Sequence, residues 1–576
     1  MHFLEKVTAS TSLSFISVAL CGVLSSCAPD QPSVDGSLSP IAEDSISRAV
    51  EDSLSPAIEG SPSKAAGSSV AAQQTTQIKT AEKRPNIIVV LADDMRAGYT
   101  GHEGHPIVQT PNIDSLAARG AVFSNSFATS TICQPSRTTL LTGQYERKHG
   151  INASSNSALS EESFRHTYPM LLKEAGYFVG YVGKNHTHIG NTDDGGFGYK
   201  SGVMESGFDY WYAGHGHLGF YPKDNPEHAI FKNAQFDTQL EIVEEGIANF
   251  FTADKAFSAG ADFLQTRPDD QPFALLINVN VPHNGGTGSM AFRDSDLDLY
   301  KTTYRDRIDD IQLPTTYVAA KDIVEPKLPK HVYSGNYLFT YDYAKTPDTM
   351  RERDIRVMQT ISGIDKLLGK MLSQLDEQGI ANNTIVVFTS DHGIQHGEFG
   401  LAGKTLVYEP SIRIPLIIYD PRINKPVKNN DLVALVDVAP TLLDLAGLAI
   451  PDQMQGHSSK PLLNDEDVEW RQELFLENNM IIQDYPRLEA VRTHKWKYIR
   501  YFDKANDAHY AKNLFASING EQPIYEELYD IENDPHEVNN VVSLKRNAAT
   551  VDRLRQRVAR MVVEYRGNEP LQTIPK

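Results

Sequence analysis

Cysteine is almost absent from this chain. Its 576 residues hold three, Cys21, Cys27 and Cys133, and the first two stand close to the N-terminus. Cys133 is therefore the only thiol in the body of the chain, which excludes a disulfide framework there. An exported chain of this kind draws its stability from core packing and bound metal, not from cross-links. Basic residues are also in deficit, with 54 Lys and Arg against 74 Asp and Glu and a formal net charge of −20. That balance argues against nucleic acid as a partner. It also disfavours a polyanion held over a wide surface, although a locally basic pocket is compatible with it. Long apolar runs are missing too. Leu13 to Leu24 is mostly apolar yet too short to span a bilayer, and no later run is long enough to cross one. No internal repeat is present.

The N-terminus reads as an export signal, with Lys6 as its short positive region. Leu24-Ser25-Ser26-Cys27 resembles a bacterial lipobox, in which Cys27 becomes the lipidated first residue. The expectation is a lipoprotein-type signal over 1–27 and a chain held at an outer membrane or cell surface by its lipid. A plain secretory signal, leaving the protein periplasmic or secreted, is the alternative. Residues 28–84 are rich in Ser, Ala, Pro and Gln with few aromatics. Such a stretch buries too little apolar surface to offset its ordering entropy and predicts a flexible tether.

The nearly five hundred residues that follow can build a large core. Asn86 to Ala92 is continuously apolar and β-branched, the pattern of a strand buried on both faces of a parallel sheet, and it ends in Asp93-Asp94. The layout returns at Thr384 to Thr389, before Ser390-Asp391-His392-Gly393. It returns again at Phe273 to Val279, before Pro282-His283, and at Tyr177 to Val182, before Gly183-Lys184. Ligand-binding groups collect at the carboxyl ends of strands in open α/β sheets. Helical patterns lie between: Ile113 to Arg119, Tyr168 to Ala175, Met350 to Gln378 and Val433 to Ala446. The alternation predicts an α/β sandwich around a mostly parallel central sheet, over 85–465. From 466 to 576 the texture changes. Ala490 to Arg500 reads as a hairpin, Glu527 to Ile531 as a strand and Asn547 to Tyr565 as a helix. This predicts a smaller antiparallel sheet with a helix against it.

Three carboxylates at strand ends, Asp93, Asp94 and Asp391, repel unless a cation lies between them, and oxygen ligands suit calcium or magnesium. The run Cys133-Gln134-Pro135-Ser136-Arg137, with Thr142-Gly143 after it, resembles the signature of the formylglycine-dependent sulfatases, in the alkaline phosphatase-like superfamily. The likeness extends from Pro85 nearly to the C-terminus. It implies that Cys133 is oxidised to formylglycine by a formylglycine-generating enzyme. It implies one Ca2+, or Mg2+, held by Asp93, Asp94, residue 133, Asp391 and His392. Asn is commoner than His at position 392 in that family, which leaves the ligation by His392 the least secure of the set.

The same resemblance assigns Arg137, Lys184, His186, His283 and Lys404 to the sulfate, with Arg137 and Lys184 holding the nucleophile and metal in register. Asp391 helps to accept a proton, and His283 or Lys404 assists departure of the alcohol. A second histidine, His188, follows His186, and the family spacing favours His186. The implied reaction is hydrolysis of sulfate esters on a sulfated carbohydrate. Residues 201–245 and 284–345, with Tyr210, Trp211, Tyr212, His215, His217 and Tyr221, are expected at the pocket rim. Two alternatives stay open: a phosphodiesterase or phosphonate monoester hydrolase of the same superfamily, and a non-catalytic lipoprotein that binds sulfated glycans.

Overall fold

The computed structural model describes residues 83–152, 158–190, 202–215, 255–283, 302–333, 342–423, 425–479, 485–503, 517–567 and 573–574. The export signal and nearly all of the tether lie outside these residues, as do His217 and Tyr221. Among the described residues, no helix is long and apolar enough to cross a membrane.

The central sheet has eight strands. In chain order they are β1 (Asn86–Asp93), β2 (Ala121–Phe123), β3 (Phe178–Asn185) and β4 (Tyr210–His215), then β5 (Phe273–Pro282), β6 (Thr384–Ser390), β7 (Leu416–Tyr419) and β8 (Val427–Asn429). Across the sheet the order is β8-β2-β7-β6-β1-β5-β3-β4. Only β7 runs against its neighbours; the other pairings are parallel. All eight residues of β1 are buried. Their side chains alternate between two apolar layers, as the strand period requires. Ile88 and Val90 pack with Ile355, Ile361 and Met371 on one face. Ile87, Val89 and Leu91 pack with Leu140, Leu172 and Leu442 on the other.

The helices that matter here are α1 (Pro111–Ala117), α2 (Cys133–Thr142), α3 (Pro347–Glu377) and α4 (Val438–Leu445). Thr346 caps α3, its hydroxyl accepting the Thr349 N–H in a reciprocal capping box. The predicted helix Val433 to Ala446 is shorter than its apolar pattern suggested. Val433 and Ala434 pair with Ser126 and Phe127, and the helix begins at Val438. The Asp437 carboxylate, accepting the Ala434 N–H at 2.8 Å and Arg471 at 2.8 Å, fixes the chain just before the helix.

The C-terminal part is a four-stranded antiparallel meander: β9 (Glu473–Asn478), β10 (Arg487–Thr493), β11 (Trp496–Phe502) and β12 (Tyr525–Asp530). Helix α5 (Ala548–Arg566) lays Val551, Leu554, Val558 and Met561 into an apolar cluster with Leu488, Ala490 and Tyr498. The same cluster takes in Phe127, Tyr343 and Leu401 from the larger part, and both sheets belong to one compact unit.

The aromatic run in the predicted pocket rim takes a different place. Tyr210, Trp211 and Tyr212 belong to strand β4 and are buried, with Trp211 stacked on Tyr181 at 5.2 Å between ring centroids. Consecutive aromatics satisfy a sheet edge as well as a rim, and here the sheet takes them.

Helix α1 depends on one long-range cap. Asp365 of α3 accepts the backbone N–H groups of Asn112 at 2.9 Å and Ile113 at 2.8 Å. Asp365→Ala leaves these donors buried, and the expected loss is about 1–3 kcal/mol of stability. Thermal unfolding checks this, with activity at room temperature retained.

Candidate active site

Strands β1 and β6 end in register, Ala92 opposite Ser390. The chain turns sharply after each. Asp94 takes a left-handed conformation, φ 64°, which Asp tolerates better than most residues. Its N–H donates to Asp391 Oδ1 at 3.1 Å, and the His392 N–H donates to the same oxygen at 2.9 Å. The two turns thus brace each other, and Asp93, Asp94, Asp391 and His392 are all buried.

Helix α2 delivers residue 133 to this point. Ile132 is extended and Cys133 is the first helical residue; all ten residues of the helix are buried. The Cys133 Sγ lies 3.5 Å from Asp93 Oδ1, 3.9 Å from Asp94 Oδ1, 3.3 Å from His392 Nε2 and 2.9 Å from Lys404 Nζ. One turn on, Arg137 donates through Nε to Asp391 Oδ2 at 2.9 Å, and its guanidinium reaches within 3.6 Å of Asp93. Ser136 donates to the Asp391 carbonyl, so α2 is fastened to the β6 turn by backbone and side chain.

Three further cations converge. Lys184, inside β3, pairs with Asp93. Lys404 reaches Asp94 Oδ1 at 2.8 Å, and His283, just past β5, stands 3.7 Å from Asp94 Oδ2. Strand β3 runs three residues beyond its predicted end, because Lys184 and Asn185 still pair with Gly214 and His215 of β4. His188 is drawn back to α2, its Nδ1 lying 3.1 Å from Gln134 Nε2. His186 is half-buried.

The electrostatics follow from burial and crowding. Burial alone would raise Asp93, but Lys184, His283, Arg137 and Lys404 together hold it well below the usual carboxylate range. Asp391 moves the other way, raised by burial and by the nearby Asp93 charge. Burial pushes the Cys133 thiol up to about 12, against the pull of Lys184 and Lys404. The encoded thiol is therefore no thiolate near neutral pH, and it is a poor nucleophile as it stands.

A metal fits this pocket. One donor atom from each of Asp93, Asp94, Cys133 and His392 lies within 4.8 Å of the others. Asp94 Oδ2 is buried and accepts no hydrogen bond among the described residues. A buried carboxylate oxygen without a donor is costly unless a cation takes it. Asp391 stands beside this set, with its oxygens already engaged by Arg137 and two backbone N–H groups. A separate cavity of about 490 Å3, lined by Arg96, Tyr99, Glu398, Phe399 and Tyr408 among others, includes none of the cluster residues.

Residues 85–448 match the sulfatase family, and residues 397–564 match the C-terminal region of N-sulphoglucosamine sulphohydrolase. The chain belongs to the sulfatase family. It is 27% identical over 553 residues to the N-acetylglucosamine-6-O-sulfatase of Bacteroides thetaiotaomicron, covering 85% of this chain and 88% of that one. It is 28% identical over 466 residues to an ulvan-active sulfatase of Formosa agariphila, covering 76% and 80%. A solved structure in complex with its substrate D-glucosamine-2-N,6-O-disulfate superposes with a TM-score of 0.63 at 24% identity, over 85% of this chain and 99% of that one. The protein is a sulfuric ester hydrolase, and its mostly parallel sheet with a separate small antiparallel sheet is the architecture of its structural neighbours.

Among the described residues, the groups within 4 Å of the Cys133 Sγ include Asp93, Asp94, His392 and Lys404, which the sequence motifs single out. The motifs did not reveal Lys497. This fully buried lysine of β11 reaches Glu409 at 2.9 Å and Glu537 at 2.6 Å and donates to the Val407 carbonyl at 2.9 Å. It anchors the segment that follows Lys404, and no local pattern marks it.

The carboxylate crowding predicts that stability rises when a divalent cation binds. Treatment with a chelator is expected to lower the melting temperature by several degrees, and excess divalent cation to restore it. In Asp94→Ala both responses should shrink. Differential scanning calorimetry reads the outcome.

Proposed function

We propose that this sulfatase hydrolyses sulfate esters on a sulfated carbohydrate, with glucosamine 6-O-sulfate as the leading candidate unit. The position of Cys133 carries the reading. Its sulfur lies at the meeting point of the Asp93, Asp94 and His392 donors and the Lys404 ammonium. The relatives support the substrate class, since one is named for N-acetylglucosamine 6-O-sulfate and another for ulvan.

Residue 133 acts as formylglycine in this proposal, installed by a formylglycine-generating enzyme. Asp93, Asp94, residue 133 and His392 hold one Ca2+, with Asp391 at its edge. When present, these two groups supply a hydrated aldehyde as nucleophile and a Lewis acid that draws charge from the sulfate oxygens. The chain's own residues do the rest. Lys184 and Arg137 offset the charges of Asp93 and Asp391, which lowers the repulsion an incoming sulfate meets inside an acidic protein. Lys404 and His283 face Asp94 from two sides, and either can protonate the departing alkoxide. His186 would serve as a proton acceptor at this site during turnover. Burial of the cluster strengthens each of these charge interactions.

Export and a lipid anchor at Cys27, with residues 28–84 as tether, belong to the same proposal. They suit an enzyme acting on extracellular glycan.

The test is sulfate release measured by ion chromatography. Protein co-produced with a formylglycine-generating enzyme is offered a panel of sulfated glycosaminoglycan and algal oligosaccharides. Release is expected from glucosamine 6-O-sulfate, with loss of at least a thousandfold in Cys133→Ala. Activity retained in that variant overturns the mechanism. Release only from other sugars overturns the candidate unit.

A further inference from the structure

Lys404 and His283 arrive from different segments, yet both converge on Asp94. What sets their spacing lies behind them. Tyr343 precedes helix α3, and its carbonyl accepts the Thr349 hydroxyl at 2.8 Å, which ties it to the capped start of that helix. Its own hydroxyl donates to the Gln395 carbonyl at 3.1 Å and accepts the Gly403 N–H at 3.1 Å. Gln395 and Gly403 face each other in a two-residue antiparallel ribbon, and Lys404 follows immediately. The backbone there is unusual. Gly403 has φ 76° and Thr405 has φ 81°, so Lys404 is flanked by two left-handed residues. Such a turn persists only where its surroundings over-determine it.

Arg353 stands on the first turns of α3. Its guanidinium lies over the Tyr343 ring at 5.1 Å and donates through one terminal nitrogen to the Pro282 carbonyl at 3.0 Å. Pro282 is the residue before His283. Both Arg353 and Tyr343 are almost wholly buried, at 1% and 2% exposure. One stacked pair on one helix end therefore holds the backbone beside each of the two cations. Tyr343 stays a neutral phenol, because burial raises it well above its ordinary value. Only the neutral form can both donate to Gln395 and accept from Gly403.

We propose that Tyr343 and Arg353 are positioning residues for the leaving-group cations, Tyr343 for Lys404 and Arg353 for His283. The proposal rests on the reading that these two cations assist departure of the alcohol. Their contacts with the backbone beside Lys404 and His283 predict an effect on turnover more than on binding.

The experiment is steady-state sulfate release from the sulfated sugar that the glycan panel identifies, whose alkoxide needs a proton to leave, with formylglycine-loaded, calcium-replete protein. Tyr343→Phe removes the hydroxyl and keeps the ring. It is expected to lower kcat 10- to 100-fold, with KM within threefold of wild type and the melting temperature within about 3 °C. In a Lys404→Ala background, the same change should alter kcat less than twofold, because the cation it positions is gone. Wild-type kcat in Tyr343→Phe overturns the proposal, as does an equal loss in both backgrounds. Should Tyr343→Phe prove unstable, Arg353→Lys gives the same two readings against a His283→Ala background. Failure of the sulfatase mechanism shows elsewhere, as activity surviving Cys133→Ala.

Discussion

Three carboxylates buried side by side are the constraint from which the rest of this structure follows. Asp93, Asp94 and Asp391 are 0–2% exposed. Taking one such charge from water costs several kcal/mol unless partners replace the lost hydration. The fold supplies those partners from every direction. Arg137 comes from a helix, Lys184 from a strand, His283 from the end of another strand and Lys404 from a turn. Each has to be held as firmly as the carboxylate it faces, since a buried charge that loses its partner costs about 3–5 kcal/mol. This explains why α2 is buried on all sides, although it carries Gln134, Ser136, Arg137 and three threonines. It is a helix built to serve charges.

The C-terminal sheet belongs to the same argument. It offers no residue to the cluster, yet Lys497 of β11 bonds to Glu409, Glu537 and the Val407 carbonyl. Burial would raise Glu409, but Lys497 and Arg492 outweigh it and hold that carboxyl at about 2. Burial wins at Glu537, which sits at about 7 despite the same lysine. One ammonium thus serves two acids unequally. The result is a rigid link between the small sheet and the segment carrying Lys404, and the family match that continues to residue 564 covers both sides of it.

Much of the site was legible in the sequence because its parts sit at strand ends. A buried strand is a short apolar β-branched run, and the polar pair closing it stands out against that run. Asp93-Asp94 after Asn86–Ala92 and Asp391-His392 after Thr384–Thr389 are visible for this reason. Strand ends were less legible, because β3 continues through Lys184 by pairing with β4, and pairing is a tertiary fact. The helix at Val433 was overextended because apolar spacing says nothing of the Asp437 contacts that delay its start. The aromatics at 210–212 were misplaced for a related reason: a run of consecutive aromatics fits the edge strand of a sheet and a sugar-binding rim equally well. Lys497, Tyr343 and Arg353 were invisible, since their bonds to the carbonyls of Val407, Gln395 and Pro282 span 90, 52 and 71 residues of chain.

The encoded residue at 133 makes the last step of the argument. A buried thiol held at about 12 is protonated at neutral pH. Burial raises it and outweighs the downward pull of Lys184 and Lys404, while Asp93 and Asp391 push it up. The Lys404 ammonium stands 2.9 Å from the sulfur. These surroundings fit the proposal that residue 133 acts after oxidation to formylglycine and not as the encoded thiol.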